Sequence, residues 1–159
     1  MPRPVLIAAG ATATAGVAGN AMISKGDLAC LQGLRRPRMQ LPLAGFAAVG
    51  VVYYLLMGVV LYRAADRRDS TATRLALVVL VLNEVWNVEF FGRRSVRTGF
   101  FGILAFLVPL TALQIAVSSD RGSSLLLAPY TAWVPCYDVP WTLQLWRLNP
   151  DSERAGHAH

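Results

Sequence analysis

Leu75 to Gly92 reads LALVVLVLNEVWNVEFFG, and this stretch decides the fold. Its apolar residues come as a block, without the period-2 alternation of a lipid-exposed barrel strand. A helix satisfies its own backbone hydrogen bonds, which a segment surrounded by lipid has to do. At about 1.5 Å rise per residue, a run of this length spans most of a hydrocarbon core of about 30 Å. Arg93, Arg94 and Arg97 follow directly, placing cations at one watery edge.

Four further blocks have the same character. Val5 to Ile23 (5–23) carries no charge, and small residues recur at Ala8, Ala11, Ala15 and Gly19, a spacing that permits close helix packing in lipid. With Arg3 before it, this block also resembles a secretory signal. Its lack of a Leu-rich centre favours a retained span. The others are Leu41 to Tyr62 (41–62), Gly99 to Val117 (99–117) and Ser124 to Trp146 (124–146). With the opening stretch (75–92) they predict an all-α membrane protein, a five-transmembrane-helix bundle over residues 1–149, with a polar carboxyl-terminal tail at 150–159. Pro109, Pro135 and Pro140 lie inside the fourth and fifth spans, where each removes a backbone donor and invites a kink.

Composition agrees with this reading. The 159 residues suffice for one bundle, and with 55% hydrophobic and 15% charged residues there are too few charges to cover an ordinary water-facing surface. The formal charge of +6 does not point to nucleic acid, because the basic residues sit between the blocks or beside their ends, where they meet headgroups. Cys30 and Cys136 have neither paired nor metal-type spacing. His157 and His159 are too isolated to form a metal site.

Five crossings put the chain ends on opposite faces. Arg3, Arg63, Arg67, Arg68, Arg74 and Arg121 fall on the amino-terminal side, and the other nine basic residues on the opposite one. In a bacterial plasma membrane this bias favours a cytoplasmic carboxyl terminus. Residues 24 to 40, SKGDLACLQGLRRPRMQ, form the longest connection, with Leu28, Leu31 and Leu34 at three-residue spacing. It reads either as a short interfacial helix or lid, or as an irregular linker held by its arginines.

The third span carries the most informative side chains. Asn83, Trp86, Asn87 and Phe90 share one helical face, combining two amides with two rings. Such a face suits interhelix hydrogen bonds or an amphipathic planar ligand. Glu84 should face the bundle interior, be neutral or pair with a base, and Glu89 is near enough to the end to reach water or Arg93. In the fifth span, PYTAWVPCYDVPW from Pro129 places Tyr130, Trp133, Tyr137 and Trp141 in an aromatic stripe with Asp138 beside it. That stripe is either packing or one wall of a mostly apolar cavity facing the third span. No phosphate loop, nucleophile elbow, HExxH or membrane-embedded histidine is present, so no catalytic residue is assigned.

The segments that carry this chemistry also carry a resemblance. NEVWNVEFFG from Asn83 to Gly92, YLLMG with Tyr54, Met57 and Gly58, Leu34 with Pro37, PYTAW with Pro129, Tyr130 and Trp133, and RLN from Arg147 to Asn149 together resemble the TspO/MBR family. These are the tryptophan-rich sensory proteins that include the mitochondrial translocator protein. The resemblance implies a five-helix membrane protein, often a homodimer, whose cavity binds porphyrins, sterols or synthetic isoquinoline and benzodiazepine-type ligands. It also implies that Tyr54, Asn83, Trp86, Phe90, Tyr130 and Trp133 line that cavity, to which the fifth-span reading adds Asp138. No cofactor is required on this view, and porphyrin or haem enters as ligand. The expected function is binding or sensing of a hydrophobic tetrapyrrole-like molecule, with transport of such a molecule and light-dependent porphyrin breakdown as the alternatives that the resemblance brings.

Departures from the family pattern qualify these expectations. RPRMQLPLAGF, Arg36 to Phe46, has no tryptophan where the family is rich in it, and Gly50 stands at a position where tryptophan is common. Pro140 and Trp141 replace an expected Leu-Asn. Fewer rings should weaken or alter porphyrin binding and photochemistry. Tyr137 has no Lys or Arg within five residues after it, so the carboxyl-terminal sterol-recognition pattern is not retained.

Overall fold

A computed structural model describes residues 3–150; the polar tail and its histidines lie outside the described residues. The chain is all α. Helix α1 (Arg3–Met22) is followed by the short α2 (Lys25–Gly33), then α3 (Leu43–Asp66) and α4 (Ser70–Asn87). A π-helical turn at Val88–Gly92 extends α4. Helix α5 (Val96–Ala116) ends in a 3₁₀ turn, and α6 (Arg121–Trp133) runs through a second π turn, Val134–Asp138, into α7 (Val139–Leu148). Helices α4, α5 and α6 begin a few residues before their apolar blocks because polar residues cap them. Asp69 accepts from Ala72 N at 2.9 Å, Ser95 from Thr98 N at 3.1 Å and Asp120 from Gly122 N at 3.2 Å.

These elements make five rods, α6 and α7 forming one. Helix α1 packs on α3 and α4, α3 on α4 and α6, and α5 on α4, α6 and α7. Leu43–Asp66, Ser70–Gly92 and Val96–Ser119 are each long and apolar enough to cross a membrane. Outward-facing Val17, Leu55, Val108 and Ile115 are more than 65% exposed, an apolar exterior that suits lipid and not water. The molecule is therefore a multi-pass membrane bundle.

Charges fasten both ends. At the end where α3 finishes and α6 begins, Arg63 grips Asp120 with Nε at 2.9 Å and Nη2 at 2.7 Å, and Arg67 adds a contact at 2.9 Å. At the opposite end the 24–40 connection is helical over Lys25–Gly33. Ser24 and Asp27 form a capping box on α2, and Arg94 Nε reaches Asp27 Oδ1 at 3.0 Å. Arg94 stands in the left-handed region (φ 53°) just past the π turn, which turns the chain back toward α2.

Prolines act unevenly. Pro109 sits inside an uninterrupted α5, whereas Pro135 lies in the second π turn. The first π turn contains no proline, so proline placement could not have foretold it.

Candidate functional site

The interior divides into two clusters. Met57, Val60, Leu61, Leu110, Leu113 and Leu127 belong to a large, mainly aliphatic core, which also holds Tyr53 and Phe106 and against which Tyr54, Trp86, Tyr130 and Trp133 pack. Phe90, Val96, Trp141 and Leu145 centre a smaller one beneath α2, with Phe46, Phe91, Tyr137 and Trp146 packed around it.

The expected site residues fall in two strings. In the first, Tyr54 Oη donates to Glu84 Oε1 at 2.6 Å, and Asn83 and Asn87 donate to the same carboxylate at 3.2 and 3.4 Å. Tyr54 meets Tyr53 edge-on at 5.1 Å, and Tyr53 leads to Tyr130 at 4.8 Å. Glu84 thus joins the third span to the second through Tyr54, with Asn83 and Asn87 supporting it from its own helix, and among the described residues no Lys or Arg pairs with Glu84. Helix α1 reaches this point because residue 19 is glycine: a Cβ there would run into Glu84 Oε2 and come within 2.9 Å of Tyr54 Oη.

In the second string Trp86 stacks on Phe90 at 5.0 Å with rings nearly parallel (5°). Phe90 meets Trp141 at 5.6 Å, Trp141 faces Tyr137 at 6.5 Å, and Tyr137 stacks on Trp133 at 4.4 Å. Trp133 Nε1 donates to Asp138 Oδ1 at 3.1 Å. The third-span and fifth-span faces therefore do meet. They meet through Trp141, which sequence reasoning placed in the aromatic stripe but not among the site residues.

Backbone irregularity and glycine make room for this string. The π turn over Val88–Gly92 widens α4 where Phe90 and Phe91 turn inward. Gly99 and Gly102, one turn apart on α5, form a notch: a Cβ on Gly99 would collide with the Phe90 ring, and one on Gly102 would lie 2.9 Å from Trp86 Cδ1. Trp86 Nε1 donates to Gly99 O at 2.8 Å. In sequence the pair was visible as GFFG, but only the partner rings show its purpose.

The connection from α2 closes over the string. Tyr137 Oη donates to Met39 O at 2.8 Å and accepts from Leu41 N at 2.9 Å, while Phe46 lies 4.9 Å from Trp141. Asn149, within the RLN ending, accepts from Arg35 N and donates to Arg35 O at 2.9 and 3.0 Å. Two buried polar atoms here find no partner among the described residues, Trp141 Nε1 and Gln40 Oε1. A small space of about 20 Å³ remains between Leu31, Leu34, Phe90 and Phe91.

A groove of about 560 Å³ lies elsewhere, between α1 and α4, lined by residues such as Gly10, Ala11, Leu77 and Val81, with Glu84 at its side. None of the seven expected site residues lines it. Glu89 pairs with Arg93 at 3.2 Å, one of the two outcomes expected of it. Among the described residues no three His, Cys, Asp or Glu side chains are grouped to hold a metal ion.

Outside the spans, two carboxylates are held below their ordinary range. Hydrogen bonds from Arg63 and then Ser123 hold the Asp120 carboxyl well below the usual carboxylate range. The Ser24 hydroxyl and backbone, and after them Arg94, lower that of Asp27.

Comparison with known proteins places the chain in a family. The TspO/MBR family model covers residues 5–145. The tryptophan-rich protein TspO of Archaeoglobus fulgidus is 27% identical over 122 residues, 75% of this chain and 80% of that protein. The tryptophan-rich protein TspO of Chlorobaculum tepidum is 31% identical over 96 residues, 56% of this chain and 60% of that protein. With most of its length matched, from the first rod into the last, the chain belongs to the TspO/MBR family.

Proposed function

We propose that this protein is a membrane binding or sensory protein for a hydrophobic, planar, tetrapyrrole-like ligand such as a porphyrin, held at the α2-capped end of a bundle whose five rods all cross the membrane. Residues 1–149 form that bundle, followed by the polar tail, and the carboxyl terminus faces the cytoplasm. The observation that carries the reading is the continuous run of rings from Trp86 and Phe90 through Trp141 and Tyr137 to Trp133. Flat aromatic surfaces suit face or edge contact with a flat macrocycle, once the rings part to admit it. Polar contacts are few and fixed: the Trp133–Asp138 pair, the Asn83 amide and the partnerless Trp141 N–H. Tyr54 and Tyr130 sit on the adjoining string and pack, like Trp86 and Trp133, against the larger cluster. Entry of a macrocycle requires the segment over Tyr137 to lift, and its anchors to Tyr137 and Asn149 are hydrogen bonds and not covalent ties. A homodimer remains compatible with the family and is part of the proposal.

The test is a titration of the protein in lipid nanodiscs with protoporphyrin and with haem, following tryptophan fluorescence. Saturable quenching, weakened in Trp86→Phe and in Trp141→Phe, is the expected result. Spectra that stay unchanged across the soluble ligand range would sink the reading. Product analysis in light and dark, and flux into sealed vesicles, separate binding from degradation and from transport.

A further inference from the structure

The 560 Å³ groove between α1 and α4 is of a size that binds small molecules. Its walls are Gly, Ala and branched aliphatic side chains, apart from Thr14 and one carboxylate, that of Glu84. Val81 and Val85, which form its outer rim, are 60% and 48% exposed, so the groove opens sideways toward lipid. Glu84 lies two turns before the end of its rod at Gly92, roughly 12 Å along the helix axis. An ionisable side chain at such a depth normally has a partner of opposite charge. Among the described residues every hydrogen-bond donor to it is neutral: the Tyr54 hydroxyl at 2.6 Å and the Asn83 and Asn87 amides at 3.2 and 3.4 Å. These donors turn the carboxylate into a fixed acceptor, while its countercharge is left to be supplied from the groove.

We propose that the groove is a second binding site, for a lipophilic amine whose ammonium group hydrogen-bonds to the Glu84 carboxylate while its apolar body lies along Gly10, Ala11, Leu77 and Val81. Charge complementarity selects the cation, and the nearly all-hydrocarbon wall selects a body without further polar groups. Gly19 keeps the space behind the carboxylate clear, since a side chain there would occupy the position of Glu84 Oε2. The site does not depend on the tetrapyrrole reading, because it uses none of the rings from Trp86 to Trp133.

The full chain in phosphatidylcholine nanodiscs, a lipid whose headgroup has no N–H to donate, is titrated with 1-pyrenebutylamine and with its neutral analogue 1-pyrenebutanol. Saturable binding of the amine about tenfold or more tighter than the alcohol is expected, the size of one charge-assisted hydrogen bond. Glu84→Gln should bring the amine to the level of the alcohol. Val81→Trp, which fills the groove from its exposed rim and leaves Glu84 in place, should abolish binding of both probes while protoporphyrin quenching persists. Equal binding of amine and alcohol overturns the proposal and makes an acyl chain the occupant. Lack of binding by either, with Val81→Cys chains crosslinking in a Cys30→Ser, Cys136→Ser background, overturns it in favour of a second copy of this chain.

Discussion

Around Leu61, Leu110, Leu113 and Leu127 the interior is aliphatic, fully buried and built on regular helix. Around Phe90 and Trp141 it is aromatic, crossed by two π turns, notched by glycines and left with two partnerless polar atoms. Both ends are fastened by an aspartate, so the contrast is not one of anchored against loose. It lies in what fills the space between anchors. Branched aliphatic side chains interdigitate and close, whereas large planar rings leave flat faces and directional N–H groups that a ligand can use. The Asp120 end is built for stability, and the proposed binding end is the one fastened by Asp27.

The largest effect that separates the two ends should come from the aliphatic one. Leu113→Ala is expected to destabilise the bundle by about 2–5 kcal/mol, because a fully buried side chain is removed where the surroundings cannot collapse. Denaturant unfolding in mixed micelles measures it, and porphyrin affinity of the folded fraction should not move. A loss of affinity equal to that of an aromatic-end variant would erase the distinction.

Gly99→Ala comes next, at about 1–3 kcal/mol from overpacking. Its methyl group displaces the Phe90 ring, and the Trp86 hydrogen bond to Gly99 O goes with it. Here stability and ligand quenching should fall together. Gly50→Ala is the control, since a Cβ there meets nothing within 4 Å.

Acid acts on the two fasteners. Asp120 and Asp27 both have folded-state pKa values below their unfolded ones. The stability they contribute is therefore fully present above the ordinary carboxylate value, about 4, and lost as pH falls through the folded value. The thermal midpoint should drop on acidification below about pH 4. The gap between the wild-type chain and Asp120→Asn should narrow over the same interval, and a gap that widened would show the charge to be unfavourable.

How far these features could be read from residues alone follows the same division. The aliphatic blocks announce their helices directly, since long apolar runs in a chain with few charges have one way to be satisfied in lipid. The rods and the short connections at 67–69 and 93–95 follow from that. Asn83, Trp86 and Phe90 could be placed on one face by helical spacing, but the π turn that sets Phe90 against Gly99 has no proline or glycine run to mark it. Tyr54 and Glu84 lie on different rods, and a pairing between rods is a property of packing that no local spacing encodes. The 24–40 connection stood open between helix and linker. What decided it was the reciprocal Ser24 and Asp27 cap, a short-range signal, together with Arg94 from far along the chain.

Trp141→Phe sharpens the contrast most with the smallest change in stability. Truncating a buried ring leaves a void, which destabilises. The same substitution removes an indole N–H that is buried without a partner, and relieving such a donor is worth about 1–3 kcal/mol in the other direction. The two should nearly offset, leaving the unfolding midpoint within about 1 kcal/mol of the parent. Ligand affinity should nonetheless fall about threefold to tenfold, the net worth of one hydrogen bond to a ligand acceptor. A variant that unfolds readily would mean that the N–H is already satisfied when the protein sits in lipid, and the aromatic end would then be as self-contained as the aliphatic one. Unchanged stability with weakened binding instead identifies Trp141 as a residue held in reserve for the ligand, at a place where no leucine could serve.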